Sequence, residues 1–304
     1  MGTPEFAVPT LKTLHESPHE VAAVITSVDK LGGRGKKQLI QSAVKKFAEA
    51  NSIPVLQPKN LKSPKFQKEL KSINADIQVV VAFRMLPVAV WDMPPMGTIN
   101  IHGSLLPAYR GAAPIHWAVM NGEKVTGLTT FRLKHEIDTG DIIHQVKVRI
   151  EPNDTTGAVH DKLMMQGGPI ILKTLEEIAS GSVTYLKQEE NKVTKAPKIY
   201  RETCVIDFDK TAEEVHNQVR GLSPFPGAFT KISDKIEMKI LKCSYDHNSN
   251  LELKKIDTDN KSFLKIGTKN GALECLTVQL SGKKRMEVKD LLNGYKFENG
   301  SYVM

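Results

Sequence analysis

Short apolar runs alternate with amphipathic stretches through the first half of the chain. Residues 21–25 and 79–83 are continuous apolar runs rich in β-branched side chains, a pattern typical of strands buried on both faces. Because strands and helices take turns along the chain, the pattern predicts a mostly parallel sheet with helices on both faces. The predicted strands are 21–25, 53–56, 77–83, 98–102, 129–133 and 142–150, and the predicted helices are 41–50, 65–72, 112–121 and 154–179.

The chain opens on a turn rather than on a strand. Residues 2–6 read Gly-Thr-Pro-Glu-Phe, and the Gly and Pro are typical of a turn. A doubly wound sheet ordinarily begins with a central strand that leads into such a turn. We therefore expect the first strand of this fold to be truncated.

The pattern changes after Gly181. Residues 188–200 are polar and rich in lysine, as is typical of a linker. A helix is predicted at 211–220, where Thr211 and Glu214 have the spacing of a capping box. The remainder consists of short β-prone segments separated by turns, as in a small barrel or sandwich. These segments are 228–232, 236–241, 262–266 and 273–280.

Composition indicates a globular protein of about two domains. The chain has 304 residues, of which 40% are hydrophobic and 25% are charged. Its apolar runs are far shorter than the roughly 18 residues that span a bilayer, and no secretory leader opens the chain, so we expect no membrane association. The three cysteines form no Cys-x-x-Cys pair, which argues against a disulfide framework or a zinc site and favours the cytoplasm.

Positive charge is concentrated in two stretches. The chain has 42 Lys and Arg against 34 Asp and Glu, a net charge of +8 that suits a polyanionic partner. Lysines recur every third residue from Lys59 to Lys71, as on the exposed face of a helix. The Gly-rich segment 32–37 lacks the spacing of a phosphate-binding loop, because Lys37 stands where Ser or Thr is needed. It remains open whether this segment binds nucleic-acid phosphates or is simply solvated.

Asn100 and His102 are the strongest candidates for chemistry. They are two residues apart on a predicted strand, so they point to the same face, near the end where open α/β sheets bind ligands. The amide can hold a developing oxyanion, and the imidazole can move a proton near neutral pH. A carboxylate from the polar turn at 135–141 could fix the tautomer of His102. A hydrogen-bonded core histidine stays open as the alternative, and the four histidines at 102, 116, 135 and 144 lack metal-site spacing.

Several motifs resemble the methionyl-tRNA formyltransferases, a branch of the 10-formyltetrahydrofolate-dependent formyltransferases. Asn100, His102 and Asp138, together with residues 104–107, are shared by the wider family. The basic loop and Arg-Gly-Ala-Ala-Pro at 110–114 point to the tRNA-specific branch. Residues 222–226 and 289–293 resemble the family's carboxyl-terminal domain, so the resemblance covers nearly the whole chain. The other matching segments are 2–7, 33–37, 79–83, 109–115 and 137–141.

The resemblance implies both fold and activity. The expected fold is a Rossmann-like catalytic domain at 1–182, a linker at 183–203 and an OB-like β-barrel at 204–304 that holds the tRNA. The expected reaction moves a formyl group from 10-formyltetrahydrofolate to the α-amino group of methionyl initiator tRNA, for translation initiation, in a monomer without a metal. Two alternatives stay open: a formyltransferase that acts on a small-molecule amine, and a non-catalytic RNA-binding protein.

The resemblance also implies roles for individual residues. Asn100 and protonated His102 would face the oxyanion of a direct acyl transfer, and Asp138 would orient His102. The proton would travel through His102 or through a water held by Asp138. The basic loop would contact the acceptor stem. The implied catalytic residues are Asn100, His102 and Asp138; the folate-binding residues are Phe83, Arg84, Met85, Leu86, Ser104, Leu105, Leu106 and Pro107; the tRNA-binding residues are Arg34, Lys36 and Lys37.

Overall fold

The computed structural model describes residues 1–32, 35, 38–234, 236–298 and 300–304. These residues form two compact units, and each unit is assembled from three separate stretches of the chain. The first unit comprises Met1–Gly111, Thr126–Val148 and His160–Lys195, and the second comprises Ala112–Val125, Arg149–Val159 and Ala196–Met304.

Up to residue 181 the chain alternates strands and helices. The strands are β1 (Val24–Ile25), β2 (Lys30–Gly32), β3 (Gln38–Ile40), β4 (Val55–Leu56), β5 (Gln78–Val81), β6 (Thr98–His102), β7 (Val125–Arg132) and β8 (Ile142–Arg149). The helices are α1 (Val8–His15), α2 (Ala43–Ala50), α3 (Pro64–Ile73), α4 (Val88–Trp91), α5 (Pro114–Met120), α6 (Thr156–Met164) and α7 (Gly167–Ser180).

The sheet of the first unit is mixed rather than parallel throughout. Strands β1 and β4 pair in parallel, and so do β5 and β6, whereas β7 runs antiparallel to β6. The order beyond β5 is β5-β6-β7-β8. The sequence pattern does not reveal the reversal, because the helix-containing connection between β6 and β7 is long enough to return the chain in either direction.

Met1 and Gly2 occupy the centre of this sheet. The Met1 nitrogen donates to Val79 O at 2.6 Å, and Val81 N donates to Met1 O at 2.9 Å. On the other side, Gly2 N donates to Ile25 O at 3.1 Å. A Cβ on Gly2 would lie only 2.8 Å from the Ala7 Cβ, so a side chain does not fit there. These two residues therefore join β1 to β5, in the place where the sequence predicts a truncated strand.

One sequence prediction for the first unit needs correction. The predicted helix at 154–179 is broken into α6 and α7, because Gly167, Gly168 and Pro169 interrupt it and a Cβ on Gly167 would lie 2.3 Å from the Thr10 hydroxyl oxygen. The segment predicted as a Gly-rich loop is flanked by the antiparallel pair β2 and β3. In contrast, the lysines of α3 are exposed while Phe66 and Leu70 are buried, as the three-residue spacing predicts.

The second unit is a curled antiparallel half-barrel. Its helix α8 (Ala212–Gly221) begins with the predicted capping box, in which the Thr211 hydroxyl accepts from Glu214 N and the Glu214 carboxylate accepts from Thr211 N. The sheet order is β11-β12-β13-β10-β9, and β14 pairs with β13. The other elements are β9 (Ala228–Ser233), β10 (Ile236–Asp246), β11 (Ile256–Thr258), β12 (Leu264–Gly267), β13 (Ala272–Leu280), β14 (Met286–Glu287) and α9 (Val288–Gly294).

A continuous apolar core fills the second unit. Phe208, Leu222, Met238 and Leu264 are almost completely buried in it. Cys204, Cys243 and Cys275 are buried and unbridged in the same core. Among the described residues, no helix has both the length and the apolar character needed to cross a membrane.

His216 makes the stability of the second unit depend on pH. Burial, together with the positive charge of Arg220, lowers the pKa of His216 from 6.5 to about 4. Between these values the unfolded chain binds the proton more tightly, so the free energy of unfolding falls by about 3 kcal/mol as the pH drops from 6.5 to 4. Urea unfolding of His216→Gln should lack this part of the pH dependence. His247→Gln, which changes an exposed histidine of the same unit, should retain it.

Candidate active site

Two loops leave the sheet side by side. Strands β5 and β6 pair in parallel with Val81 opposite Ile101, so the segments that follow them begin at the same edge. In open α/β sheets, ligands bind outside the carboxyl ends of the strands. The edge formed by residues 82–87 and 103–111 is therefore the candidate site.

The first loop combines an anchored part with an exposed part. Phe83 and Leu86 pack against the core cluster that contains Ile25 and Val90. Arg84 donates to the carbonyl oxygens of Pro58 and Lys59, and its guanidinium carbon lies 5.7 Å from the centre of the Phe83 ring. The Met85 side chain is 71% exposed. An apolar side chain is thus held outward at the edge of the sheet.

Side chains of β7 and β8 hold the second loop through hydrogen bonds to the loop backbone. Thr129 Oγ1 donates to Ser104 O at 2.7 Å and accepts from Leu106 N at 3.0 Å, while Gln145 Nε2 donates to Leu106 O at 2.8 Å. The Ser104 hydroxyl donates to Ala108 O, and the Leu106 side chain is buried with Phe131. The side chains of Ser104 and Leu106 therefore support the loop, whereas Leu105 and Pro107 are partly exposed.

Asn100 and His102 lie two residues apart on β6, on one face of the strand. Asn100 is half-buried, and within the described part of the chain its amide has no hydrogen-bond partner. His102 is buried, and its Nε2 lies 2.9 Å from Tyr109 O. Since a carbonyl oxygen only accepts, Nε2 carries the proton, and Nδ1 is the atom that can exchange one.

Asp138 lies beside the exchangeable nitrogen of His102. Its Oδ2 is 3.7 Å from His102 Nδ1, which is within ion-pair range but too long for a hydrogen bond. The same oxygen accepts from Gly111 N at 2.9 Å. The ring of His102 is thus fixed by Tyr109, and the carboxylate is fixed by Gly111, so both groups keep their positions without bonding directly to each other.

The turn that carries Asp138 is tightly constrained. Asp138 has a left-handed backbone, with φ at 57°. A Cβ on Gly140 would lie 1.7 Å from Arg132 O, so only glycine fits at that position. Gln188 Nε2 donates to both Asp138 O and Gly140 O at 2.8 Å. One side-chain amide therefore holds both ends of the turn.

Gln188 also connects this turn to Arg110. The Arg110 Nε donates to Gln188 Oε1 at 2.9 Å, and its guanidinium forms a two-bond ion pair with Glu190 that lowers the pKa of that carboxyl. Sequence reasoning missed Gln188 and Glu190, because a single glutamine in a polar segment typical of a linker carries no signal. It also missed Thr129 and the carbonyl of Tyr109.

The tRNA-binding residues predicted from the sequence, Arg34, Lys36 and Lys37, lie outside the described residues. Among the described lysines, the Lys45 side chain is mostly buried and pairs with Asp29 at 2.5 Å. No group of three His, Cys, Asp or Glu side chains that could hold a metal is found among residues 1–32, 35, 38–234, 236–298 and 300–304.

Comparison with known proteins assigns the chain to a family. The model of the formyl transferase family matches residues 1–175, and the model of the formyl transferase carboxyl-terminal domain matches residues 198–296. The chain belongs to the formyl transferase family. The resemblance seen in the sequence motifs is thereby confirmed.

Several relatives are similar to this chain over nearly its full length. A protein of Azobacteroides pseudotrichonymphae named methionyl-tRNA formyltransferase is 47% identical over 97% of this chain and 94% of its own length. A protein of the same name from Flavobacterium johnsoniae is 46% identical over 100% of this chain and 97% of its own length. The similarity therefore includes both units.

Solved structures of other proteins share the fold. WlaRD, a sugar 3N-formyl transferase solved with dTDP and 5-N-formyl-tetrahydrofolate, aligns with a TM-score of 0.68 and 24% identity over 93% of this chain and 97% of its own. HypX from Aquifex aeolicus, in complex with tetrahydrofolic acid, aligns with a TM-score of 0.61 and 19% identity over 85% of this chain and 47% of its own. At these identities the likeness concerns the fold alone.

Gly140→Ala tests the constraint on the Asp138 turn. The added methyl group would overlap Arg132 O and the Phe131 ring, so the free energy of unfolding should fall by about 1–3 kcal/mol or more. Urea unfolding measures this change. The matched control is Gly294→Ala, where a Cβ has open space and the stability should stay within about 0.5 kcal/mol. Equal stability of the two variants would contradict the packing around Gly140.

Proposed function

We propose that this protein transfers the formyl group of 10-formyltetrahydrofolate to the α-amino group of methionyl initiator tRNA, for translation initiation. The observation that carries the proposal is the full-length match, at 44–47% identity, to relatives named methionyl-tRNA formyltransferase. The grouping of Asn100, His102 and Asp138 at one edge of the sheet supplies the chemistry that formyl transfer needs.

The loops at this edge fit a folate. Met85 and the partly exposed Leu105 and Pro107 offer apolar contacts to a flat ring system, and the surrounding backbone offers hydrogen bonds. When bound, 10-formyltetrahydrofolate supplies the formyl group on its N10 nitrogen. We assign Phe83, Arg84 and Leu86 to the support of this pocket, since all three are anchored to neighbouring segments. We likewise assign Ser104 and Leu106 to the support of the second loop.

Asn100 and His102 stabilise the charge that develops during transfer. As an amine attacks a formyl carbon, negative charge accumulates on the formyl oxygen, and preorganised donors lower the barrier. The Asn100 amide has N–H groups available for this oxygen. His102 adds a second donor through Nδ1 once that nitrogen has taken up the proton of the attacking amine. Both side chains project from one rigid strand, so little reorganisation is needed when the charge appears.

The proton is exchanged at His102 Nδ1 in this proposal. The Nε2 hydrogen is committed to Tyr109 O, so only Nδ1 can accept a proton from the attacking amine and release it to the leaving nitrogen. Asp138 stabilises the positive imidazole ring from 3.7 Å and has one oxygen held by Gly111 N. We assign no covalent enzyme intermediate, because neither Asn100 nor His102 needs to act as a nucleophile.

Contacts with tRNA are proposed on two parts of the chain. The sequence assigns Arg34, Lys36 and Lys37 to the acceptor stem. The second unit would hold the tRNA body, and we propose that its half-barrel is OB-like, as its five-stranded path β11-β12-β13-β10-β9 suggests by its antiparallel order. We further propose a cytoplasmic monomer, which is consistent with three unbridged cysteines.

The direct test is formyl transfer from 10-formyltetrahydrofolate to methionyl initiator tRNA by the purified chain. His102→Ala should reduce kcat/KM by about 10²–10⁴, because general acid–base catalysis is lost. Asn100→Ala should cost about 10²–10³, the usual effect of removing one oxyanion donor. Formylated methionine released from the tRNA is measured at fixed salt.

The matched control is His15→Ala, which removes an exposed histidine of the same unit, in helix α1, and should leave the rate unchanged. Folded His102→Ala protein with nearly full turnover would eliminate the catalytic assignment. A folded wild-type protein that formylates a small amine but not methionyl-tRNA would instead select the small-molecule acceptor.

Gln188 is expected to act as a positioning residue. Gln188→Ala removes both hydrogen bonds to the Asp138 turn, so Asp138 shifts relative to His102. We expect kcat to fall by about 10–100-fold while the KM for both substrates stays within twofold, because displacement of a catalytic group affects chemistry more than binding. The control is Gln67→Ala, which removes another backbone-bonded glutamine of this unit. An unchanged kcat would show that the Asp138 turn keeps its position without the hydrogen bonds from Gln188.

A further inference from the structure

The second unit contains a cavity that the proposed chemistry does not use. It has a volume of about 460 Å³, within the usual range for small-molecule and nucleotide sites. All of its lining residues belong to the second unit. The lining combines three aromatic rings, Tyr200, Phe225 and Phe229, with three cations, Lys198, Arg201 and Lys239.

The aromatic rings differ in how they are presented. Phe225 is 78% exposed and Tyr200 is 59% exposed, although both line the cavity. Phe229 is buried, and the Arg201 guanidinium carbon lies 4.6 Å from its ring centre. Exposing a phenylalanine this far is unfavourable unless something covers the ring. The exposed faces of Phe225 and Tyr200 are therefore available for stacking.

The cations surround these rings without a carboxylate among the lining residues. Lys198 Nζ lies 5.6 Å from the centre of the Tyr200 ring. Lys239 Nζ donates to Pro226 O at 2.7 Å, which leaves two of its three N–H groups for a ligand. Arg201 pairs with Glu237, which lies outside the lining. The charge of the cavity therefore complements an anion.

The position of Gly227 keeps the cavity open. It has φ at +89°, and a Cβ there would approach Lys239 Cδ to 3.0 Å. The alkyl chain of Lys239 can thus lie across Gly227 and bring its ammonium group beside Pro226. An aromatic platform, an anchored ammonium group and an uncrowded wall occur together at the turn 222–227, one of the motifs that the catalytic chemistry leaves unexplained.

We propose that this cavity binds an unpaired nucleotide of the RNA substrate, with the base stacked on Phe225 and its phosphate held by Lys198 and Lys239. Proteins that bind single-stranded nucleic acid combine aromatic stacking platforms with basic grooves in this way. The inference rests on the proposed function, since it names a subsite for the tRNA. An apolar protein partner would not require the two ammonium groups of Lys198 and Lys239 beside the exposed rings.

Fluorescence anisotropy with the full chain tests the stacking. The probe is a labelled single-stranded RNA of about 12 nucleotides, compared with its duplex form and with adenosine monophosphate as a competitor. Phe225→Ala and Phe225→Leu should each weaken single-strand binding about tenfold, whereas Phe225→Trp should bind within twofold of wild type. Lys198→Gln should reduce the slope of log affinity against log salt by about 0.7.

Tyr302→Ala is the matched control, because it removes an exposed aromatic ring of the same unit outside the cavity. The proposal is overturned if Phe225→Leu binds single-stranded RNA like wild type, or if Tyr302→Ala weakens this binding as much as Phe225→Ala does. It is equally overturned if the Phe225 variants weaken duplex binding by the same factor. It is also overturned if adenosine monophosphate binds as tightly as the RNA, which would assign the cavity to free nucleotides.

A kinetic measurement separates this subsite from the function itself. With methionyl-tRNA as substrate, Phe225→Ala should raise the KM for tRNA about tenfold and leave kcat and the KM for folate within twofold. If the wild type formylates tRNA but the Phe225 variants bind RNA normally, the subsite is wrong and the function stands. If the Phe225 variants weaken RNA binding as expected but the wild type does not formylate tRNA, the proposed function is wrong and the RNA subsite stands.

Discussion

The parallel pairing of β5 with β6 determines where everything else in the candidate site can be. The register places Val81 opposite Ile101, so the two loops that follow begin at the same edge of the sheet. Asn100 and His102 point from β6 to one face because they are two residues apart. A one-residue change of register would turn both away from the loops. Met1 and Gly2 hold the other side of β5, so the site depends on the centre of the sheet.

The two candidate catalytic side chains, His102 and Asp138, are held by the backbone of one loop rather than by each other. His102 bonds to Tyr109 O, and Asp138 bonds to Gly111 N, so one loop holds both groups in place. The left-handed backbone of Asp138 costs free energy, which the two bonds from Gln188 offset. This arrangement keeps the imidazole and the carboxylate 3.7 Å apart without locking a proton between them.

Local pattern predicted the elements well and long-range contacts poorly. Strand β6 and the capping box of α8 follow directly from alternation and from the spacing of Thr211 and Glu214. Gln188 could not be predicted, because its partners lie about 50 residues away along the chain. The antiparallel direction of β7 is equally invisible to periodicity. The roles of the site residues and the domain limits at 182 and 203 remain predictions, and Arg34 lies outside the described residues.

The second unit is assembled from separate stretches of the chain, so one of its helices comes from the first half of the sequence. Helix α5 packs with α8 in this unit, where His116 Nδ1 lies 2.8 Å from Gly221 O. A Cβ on Gly221 would lie 2.3 Å from Met120 Cγ, so the two helices approach closely. The loop that holds His102 and Asp138 runs directly into α5. A chain that ends within residues 183–203 would therefore contain α5 but lack its packing partner α8.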